Sequence, residues 1–128
     1  CQARLRPGGK MALQAITIQD QRYRDYSKSV DFIQRYIFPG GFLPSITAMS
    51  ELMTRHTDFV VRNLFDMGPD YARTLAHWRQ RFTHAWQDIE KLGFDERFRR
   101  MWLHYFGYCE AGFNARTISV VQLTAERV

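Results

Sequence analysis

The segment around which the chain is organised reads Val30-Asp31-Phe32-Ile33-Gln34-Arg35-Tyr36-Ile37-Phe38-Pro39-Gly40-Gly41-Phe42-Leu43-Pro44-Ser45. Its first half predicts a short helix with Phe32 and Tyr36 on one face. Pro39 ends that helix because proline donates no N–H and excludes helical geometry in the preceding residue. The two glycines that follow allow a turn through positive φ, and Ser45 is a favourable N-cap for the next helix. So many bulky apolar side chains beside a turn indicate either a packed corner or the wall of an apolar channel, and the pattern alone favours the corner.

Three other segments have the composition of β-strands. Residues 10–18 form a short, mostly apolar run that ends in β-branched residues, and residues 59–67 form a second such run. Residues 117–125 alternate roughly between apolar and polar and are also rich in β-branched side chains. Three strands with helices between them predict the α/β class.

The predicted helices begin at the chain start and continue between the strands. Residues 1–9 are expected to form the tail of a helix that ends at a Pro-Gly-Gly turn. Residues 20–38 are expected to be helical in part, with Asp20 as N-cap, and a further helix should run from Ser45 to about His56.

Two longer helices are predicted in the second half of the chain. An apolar stripe that runs on through Trp86 predicts one long helix, which Gly93 should end. Asp95 is expected to cap the last helix, whose apolar face includes Tyr105 and Cys109. On such a stripe a cysteine is expected to be a small buried thiol and not a nucleophile.

Composition restricts the function classes. The 128 residues carry a net charge of +5, mainly from arginine, which suits the phosphate of an anionic lipid or a nucleic acid. Because no nucleic-acid-binding motif accompanies these arginines, nucleic acid is not an expected partner. The only cysteines are Cys1 and Cys109, so neither a disulfide framework nor a metal site is expected. With no signal peptide or bilayer-length apolar run, a cytoplasmic location is expected.

Four segments of the chain resemble, in order and with matching spacing, the cyclopropane-fatty-acyl-phospholipid synthases, including the mycolic acid cyclopropane synthases. They are Arg35-Tyr36-Ile37-Phe38-Pro39-Gly40-Gly41-Phe42-Leu43-Pro44-Ser45, Gly68-Pro69-Asp70-Tyr71-Ala72-Arg73-Thr74-Leu75-Ala76-His77-Trp78-Arg79-Gln80-Arg81-Phe82, Phe98-Arg99-Arg100-Met101-Trp102 and Tyr105-Phe106-Gly107-Tyr108-Cys109-Glu110-Ala111-Gly112-Phe113. The resemblance implies the C-terminal portion of a Rossmann-like methyltransferase sheet, with about three strands, the last two antiparallel. Residues 1–128 would then be a C-terminal fragment of one methyltransferase domain that lacks the cofactor-binding N-terminal half.

The resemblance also implies a reaction. The family transfers the sulfonium methyl group of S-adenosylmethionine to a cis double bond of a phospholipid acyl chain, and bicarbonate takes the proton whose loss closes a cyclopropane ring. The S-adenosylmethionine site, and the glutamate and histidine that help to hold bicarbonate, are expected before Cys1. The enzyme is expected to work as a peripheral protein at the inner face of the membrane, and the fragment is expected to be inactive and to form homo-oligomers.

Two family positions near the active site are matched by residues of this chain. Tyr71 matches the tyrosine whose hydroxyl contacts bicarbonate, a role that a neutral phenol can perform without adding charge. Cys109 matches a cysteine near the active-site cavity. His104 lies five residues away on the same predicted helix, off the face of Cys109, so a Cys–His catalytic pair is not expected.

An acyl chain needs an apolar channel, and aromatic faces can stabilise a cation at close range. The candidates for this wall are Phe32, Tyr36, Phe38, Phe42 and Tyr105. Two alternatives stay open: a fatty-acid C-methyltransferase that stops at a methyl branch, and a non-catalytic module that uses the same aromatic surface to bind a lipid or a partner.

Overall fold

The computed structural model describes residues 1–128 and contains three strands and five α-helices. In chain order these are β1 (Lys10–Ile18), α1 (Asp20–Tyr26), α2 (Ile46–His56), β2 (Phe59–Asp66), α3 (Gly68–His84), α4 (Trp86–Lys91), α5 (Glu96–Asn114) and β3 (Ile118–Arg127). A single 3₁₀ turn, Gln2–Arg4, precedes β1, and a short π-helical turn, Ile33–Ile37, lies between α1 and α2. None of the helices combines the length and the apolar composition that crossing a bilayer requires.

The three strands form one sheet in the order β1–β3–β2, and β3 pairs antiparallel with both neighbours. The predicted α/β class, the three strands and the antiparallel last pair are therefore confirmed. Because β3 is central, its side chains are the most deeply buried of the chain: Val120, Val121, Leu123 and Ala125 are each at most 1% exposed.

Helices cover both faces of this sheet. Val120 of β3 packs with side chains of α3 and α5, among them Leu75 and Phe106. On the other face, Leu123 forms a second buried cluster with Phe59 of β2, against which Met53 of α2 packs. Because adjacent residues of a strand point to opposite faces, residues Val120 to Ala125 contribute to the buried clusters on both faces of the sheet.

Two of the predicted caps are confirmed and one is wrong. The Ser45 hydroxyl accepts a hydrogen bond from the Ala48 N–H at 3.2 Å, and the Asp95 carboxylate accepts one from the Phe98 N–H at 2.8 Å. Asp20, in contrast, is the first residue of α1 and does not cap it. Its carboxylate accepts from the Thr47 N–H at 3.0 Å and so serves the first turn of α2.

The long helix predicted after residue 68 is interrupted. α3 ends at His84, and Ala85 adopts φ −84° and ψ 4° before α4 begins at Trp86. This change of direction buries the Trp86 ring, which is 8% exposed and packs against Phe82 with 5.8 Å between centroids. Packing of one large aromatic side chain accompanies a break that helical periodicity does not reveal.

The helix tail predicted for residues 1–9 was too long, because only the 3₁₀ turn is present there. Residues 20–38 are helical in part, as predicted: α1 ends at Tyr26, and a π-helical turn follows at Ile33–Ile37. The π-helical turn that follows is closed reciprocally: the Gln34 N–H donates to the Asp31 carboxylate at 2.8 Å, and the Asp31 N–H donates to the Gln34 side chain at 3.0 Å. The chain therefore approaches α5 as an irregular segment with exposed aromatic side chains.

Candidate functional site

Helices α3 and α5 place three of the predicted site residues around one buried cluster. Tyr71 of α3 and Tyr105 and Cys109 of α5 all pack against it. The cluster consists of Ala72, Leu75, Phe106, Phe113 and Val120. Tyr105 and Cys109 are one helical turn apart on α5, whereas Tyr71 is distant from both in sequence, and the shared cluster brings it to the same side of the sheet.

The Tyr71 hydroxyl lies at the end of a hydrogen-bonded row of side chains. The Gln14 carboxamide nitrogen donates to the Tyr71 oxygen at 3.0 Å, and the Gln122 carboxamide nitrogen donates to the Gln14 oxygen at 2.9 Å. The Tyr71 ring packs against Phe113 with 5.7 Å between centroids. Neither glutamine was predicted as a site residue from the sequence, although Gln14 interrupts the apolar run of β1 and was a usable signal.

The beginning of α3, three residues before Tyr71, is held by side chains of two strands. The Asp66 carboxylate accepts hydrogen bonds from the Gly68 N–H at 2.9 Å and from the Ser119 hydroxyl. These hydrogen bonds, first the one from Ser119, hold the Asp66 pKa below its ordinary value. A Cβ on Gly68 would overlap the Ser119 hydroxyl, so this close approach requires glycine.

Cys109 is a protonated thiol in this setting. Burial, with a smaller contribution from the Asp31 carboxylate, raises the Cys109 pKa to about 11. The imidazole of His104 packs edge-on against Phe32, with 4.6 Å between ring centroids. This geometry agrees with a small buried thiol and offers no support for a thiolate nucleophile.

The proposed wall residues divide into two groups. The first group packs on α5: Phe38 contacts Tyr105 of this helix with 6.0 Å between centroids, Phe32 contacts its His104, and Tyr36 packs against Phe32 at 5.5 Å. Phe42 lies apart from them and packs with two tyrosines of α1, Tyr23 at 5.9 Å and Tyr26 at 5.3 Å.

Much of this aromatic surface is uncovered. Tyr36 is 52% exposed, Phe38 54% and Phe42 49%, whereas Phe32 is half-buried. The segment is therefore only partly a packed corner, because about half of its aromatic area faces outward. Exposed apolar area of this kind commonly marks a binding surface.

The Asp31 carboxylate affects the titration of residues that belong to or contact both aromatic groups. Burial is the main cause of the raised pKa values of Tyr26 and Tyr108, and the Asp31 carboxylate adds to both. The Tyr26 hydroxyl also accepts from the Leu43 N–H at 3.3 Å. The site thus combines neutral hydroxyls, carboxamides, a thiol and aromatic faces. No group of three or more histidine, cysteine, aspartate or glutamate side chains is arranged to hold a metal ion.

Solved structures of methyltransferases share this fold. The cyclopropane synthase MmaA2 from Mycobacterium tuberculosis superimposes with a TM-score of 0.81 at 26% identity over 95% of this chain and 45% of that protein. The mycolic acid cyclopropane synthase CmaA1, complexed with SAH and CTAB, gives 0.79 at 27% identity over 92% of this chain and 44% of its own. The fold is that of the Rossmann-like methyltransferases that use S-adenosylmethionine.

Sequence comparison narrows that class to a family. A family model described as mycolic acid cyclopropane synthetase matches residues 1–123. Tuberculostearic acid methyltransferase UfaA1 of Mycobacterium tuberculosis is 42% identical over 96% of this chain, and the cyclopropane-fatty-acyl-phospholipid synthase of Escherichia coli K12 is 38% identical over 75%. The chain belongs to the mycolic acid cyclopropane synthetase family, as its resemblance predicted. It spans 29% and 24% of the lengths of those two relatives.

Proposed function

We propose that this chain is the C-terminal part of a lipid methyltransferase that uses S-adenosylmethionine and converts cis double bonds of phospholipid acyl chains to cyclopropane rings at the inner face of the membrane. The observation that carries the proposal is the half-exposed aromatic surface that packs on α5, the helix that also carries Tyr105 and Cys109, in a chain of this family. Such a surface can receive an acyl chain and exclude water from it.

The residues of this chain fit only part of the chemistry. S-adenosylmethionine, when bound, supplies an electrophilic methyl group, but no glycine-rich loop follows a strand here to hold it. We therefore place its site on a segment outside this chain and expect the chain alone to be inactive.

The residues of this chain are better suited to hold an anion such as bicarbonate than to hold S-adenosylmethionine. Because the Tyr71 oxygen accepts from Gln14, its own hydrogen is available to an acceptor. In the proposed reaction Tyr71 orients the anion that removes the proton. Phe32, Tyr36, Phe38, Phe42 and Tyr105 form the apolar wall, and their faces stabilise positive charge on the acyl chain.

Fatty-acid C-methylation that ends in a methyl branch is the second candidate. The observation that favours it is the relative named tuberculostearic acid methyltransferase, which is more similar to this chain, over a larger part of it, than the cyclopropane synthase of Escherichia coli. Both reactions begin with methyl transfer, so the same surface serves either product.

The experiment is expression of the complete enzyme in a host without cyclopropane lipids, followed by mass spectrometry of its fatty acids. The expected product is 14 mass units heavier than the unsaturated fatty acid, because methyl transfer and loss of a proton add one CH₂ group. Fragmentation then shows whether this group forms a ring or a methyl branch, which decides between the two candidates. The 128-residue chain expressed alone is the control and should yield neither product. No modified lipid from the complete enzyme would contradict both candidates and favour a non-catalytic binding module.

Variants of the complete enzyme test the site. Tyr71→Phe should lower turnover about 10²-fold, the usual loss when a donor that acts in the transition state is removed. Cys109→Ser should cost less, because the thiol is protonated and partly buried. Tyr23→Phe is the matched control, since it removes a hydroxyl that makes no hydrogen bond within the chain. Parental turnover in Tyr71→Phe would refute the role given to Tyr71.

A further inference from the structure

The row of side chains that ends at Tyr71 spans three elements of the fold. Gln14 of β1 and Gln122 of β3 are directly opposite each other in the antiparallel register. Gln122 donates to Gln14 at 2.9 Å, and Gln14 donates to Tyr71 of α3 at 3.0 Å. Both glutamines are exposed in this chain. Exposed neutral hydrogen bonds contribute little to stability, so the row has little value as a structural support.

The direction of these hydrogen bonds determines what Tyr71 can do. A carboxamide has one accepting and one donating end. When the Gln14 oxygen accepts from Gln122, its nitrogen faces Tyr71, and the phenol oxygen becomes the acceptor. The phenol hydrogen then points away from Gln14. If Gln14 were reversed, its oxygen would take that hydrogen and Tyr71 could no longer donate elsewhere.

We propose that Gln14 and Gln122 are positioning residues that keep the Tyr71 hydroxyl available as a hydrogen-bond donor. Gln122 sets the orientation of the Gln14 carboxamide, and Gln14 sets the orientation of the Tyr71 hydroxyl. The two glutamines act only through Tyr71. This inference rests on the proposed function, in which Tyr71 orients an anion.

The kinetic test compares two substitutions of Gln14 in the complete enzyme. Gln14→Glu keeps the shape of the side chain, but an ionised carboxylate only accepts, so it binds the Tyr71 hydrogen. Turnover should fall about 10²-fold, as in Tyr71→Phe, with the KM for lipid unchanged. Gln14→Ala leaves the Tyr71 hydroxyl free to rotate and should lower turnover by less than 10-fold, which corresponds to the loss of about one neutral hydrogen bond. Gln19→Glu is the control, because it adds the same charge just beyond β1 at a side chain that makes no hydrogen bond within the chain.

A double-variant cycle separates positioning from general damage. In the Tyr71→Phe background, Gln14→Glu should cause no further loss, since phenylalanine has no hydrogen to misdirect. Equal losses in both backgrounds, or Gln14→Ala at least as impaired as Gln14→Glu, would overturn the inference while leaving the proposed function intact. Parental turnover in Tyr71→Phe would instead refute the role of Tyr71 and, with it, the inference.

Nuclear magnetic resonance gives a readout that does not depend on activity. In ¹⁵N-labelled protein, the Gln14 side-chain amide signals should shift in Tyr71→Phe, which removes their acceptor. They should shift again in Gln122→Glu, because a carboxylate there attracts the donating end of Gln14 and reverses it. Gln19→Glu should leave them in place. Gln14 signals that are unchanged in both Tyr71→Phe and Gln122→Glu would overturn the inference.

Discussion

Replacement of Gly68 by alanine tests how the beginning of α3 is held. The new Cβ would overlap the Ser119 hydroxyl and lie 3.3 Å from the Asp66 carboxylate oxygen and 3.4 Å from the Ser119 Cβ. The hydroxyl is the atom that can move, by rotation of the serine side chain. Rotation breaks its hydrogen bond to Asp66 while the Asp66 bond to the backbone N–H remains.

The expected cost follows from two opposing effects. A hydrogen bond to a charged group contributes about 1.5–3 kcal/mol, and the lower end applies here because Asp66 is exposed. Alanine at a position with a permitted backbone conformation stabilises by about 0.4–1 kcal/mol through the unfolded state. Gly68→Ala should therefore lower the free energy of unfolding by about 1 kcal/mol. In a Ser119→Ala background the overlapping atom is gone, and the same change should stabilise by about 0.5 kcal/mol.

The assay is urea denaturation at pH 7, followed by tryptophan fluorescence. Gly107→Ala is the control, because a Cβ at this helical glycine of α5 meets nothing within 4 Å and alanine should be favourable there. The Asp66 pKa is held below 3.8, so the ionised carboxylate is favoured in the folded state. The coupling between Gly68 and Ser119 should therefore be complete well above pH 3.8 and diminish as the pH falls below it. An equal loss of unfolding free energy from Gly68→Ala in the parent and in the Ser119→Ala background at pH 7 would refute the reasoning.

Two further predictions concern Cys109 and the free edge of β1. With a pKa of about 11 against an ordinary 9.0, Cys109 has a thiolate fraction at pH 8 that is about 100-fold lower than that of an ordinary cysteine. Iodoacetamide should therefore label the exposed Cys1 first. Equal labelling rates of the two cysteines, measured by peptide mass spectrometry, would contradict this prediction. β1 pairs only with β3 and exposes Leu13 and Ile16, so the chain should self-associate through the free edge of β1. A monomer of 15.2 kDa in analytical sedimentation at micromolar concentration would contradict this prediction.

Local signals in the sequence were sufficient for much of the fold. Ser45 and Asp95 cap helices because a side-chain oxygen one turn from the relevant N–H needs no distant partner. Gly93 adopts φ +97°, a conformation that glycine reaches without strain, and so ends α4 where predicted. The three strands were recognisable by composition alone.

Part of the candidate site was also accessible from sequence. Tyr71 and Cys109 were selected by their match to family positions and Tyr105 as an aromatic wall candidate, and the structure brings all three around one buried cluster. The five wall candidates were recognisable as a group, because four of them lie within a short segment and the fifth lies on the last helix. Their division into two groups was not, since it depends on packing against α1 and α5.

The sequence by itself determined the α/β class, the helix caps Ser45 and Asp95, and which aromatic residues were candidates for the site. The strands and caps were accessible because each is specified by residues close together in the chain. Only the tertiary structure decided the central place of β3, the break at Ala85 and the use of Asp20 by α2. It alone showed that Gln14 donates to Tyr71, a contact across 57 positions of sequence. Such contacts are set by how sheet and helices pack together, and no local pattern of residues specifies them.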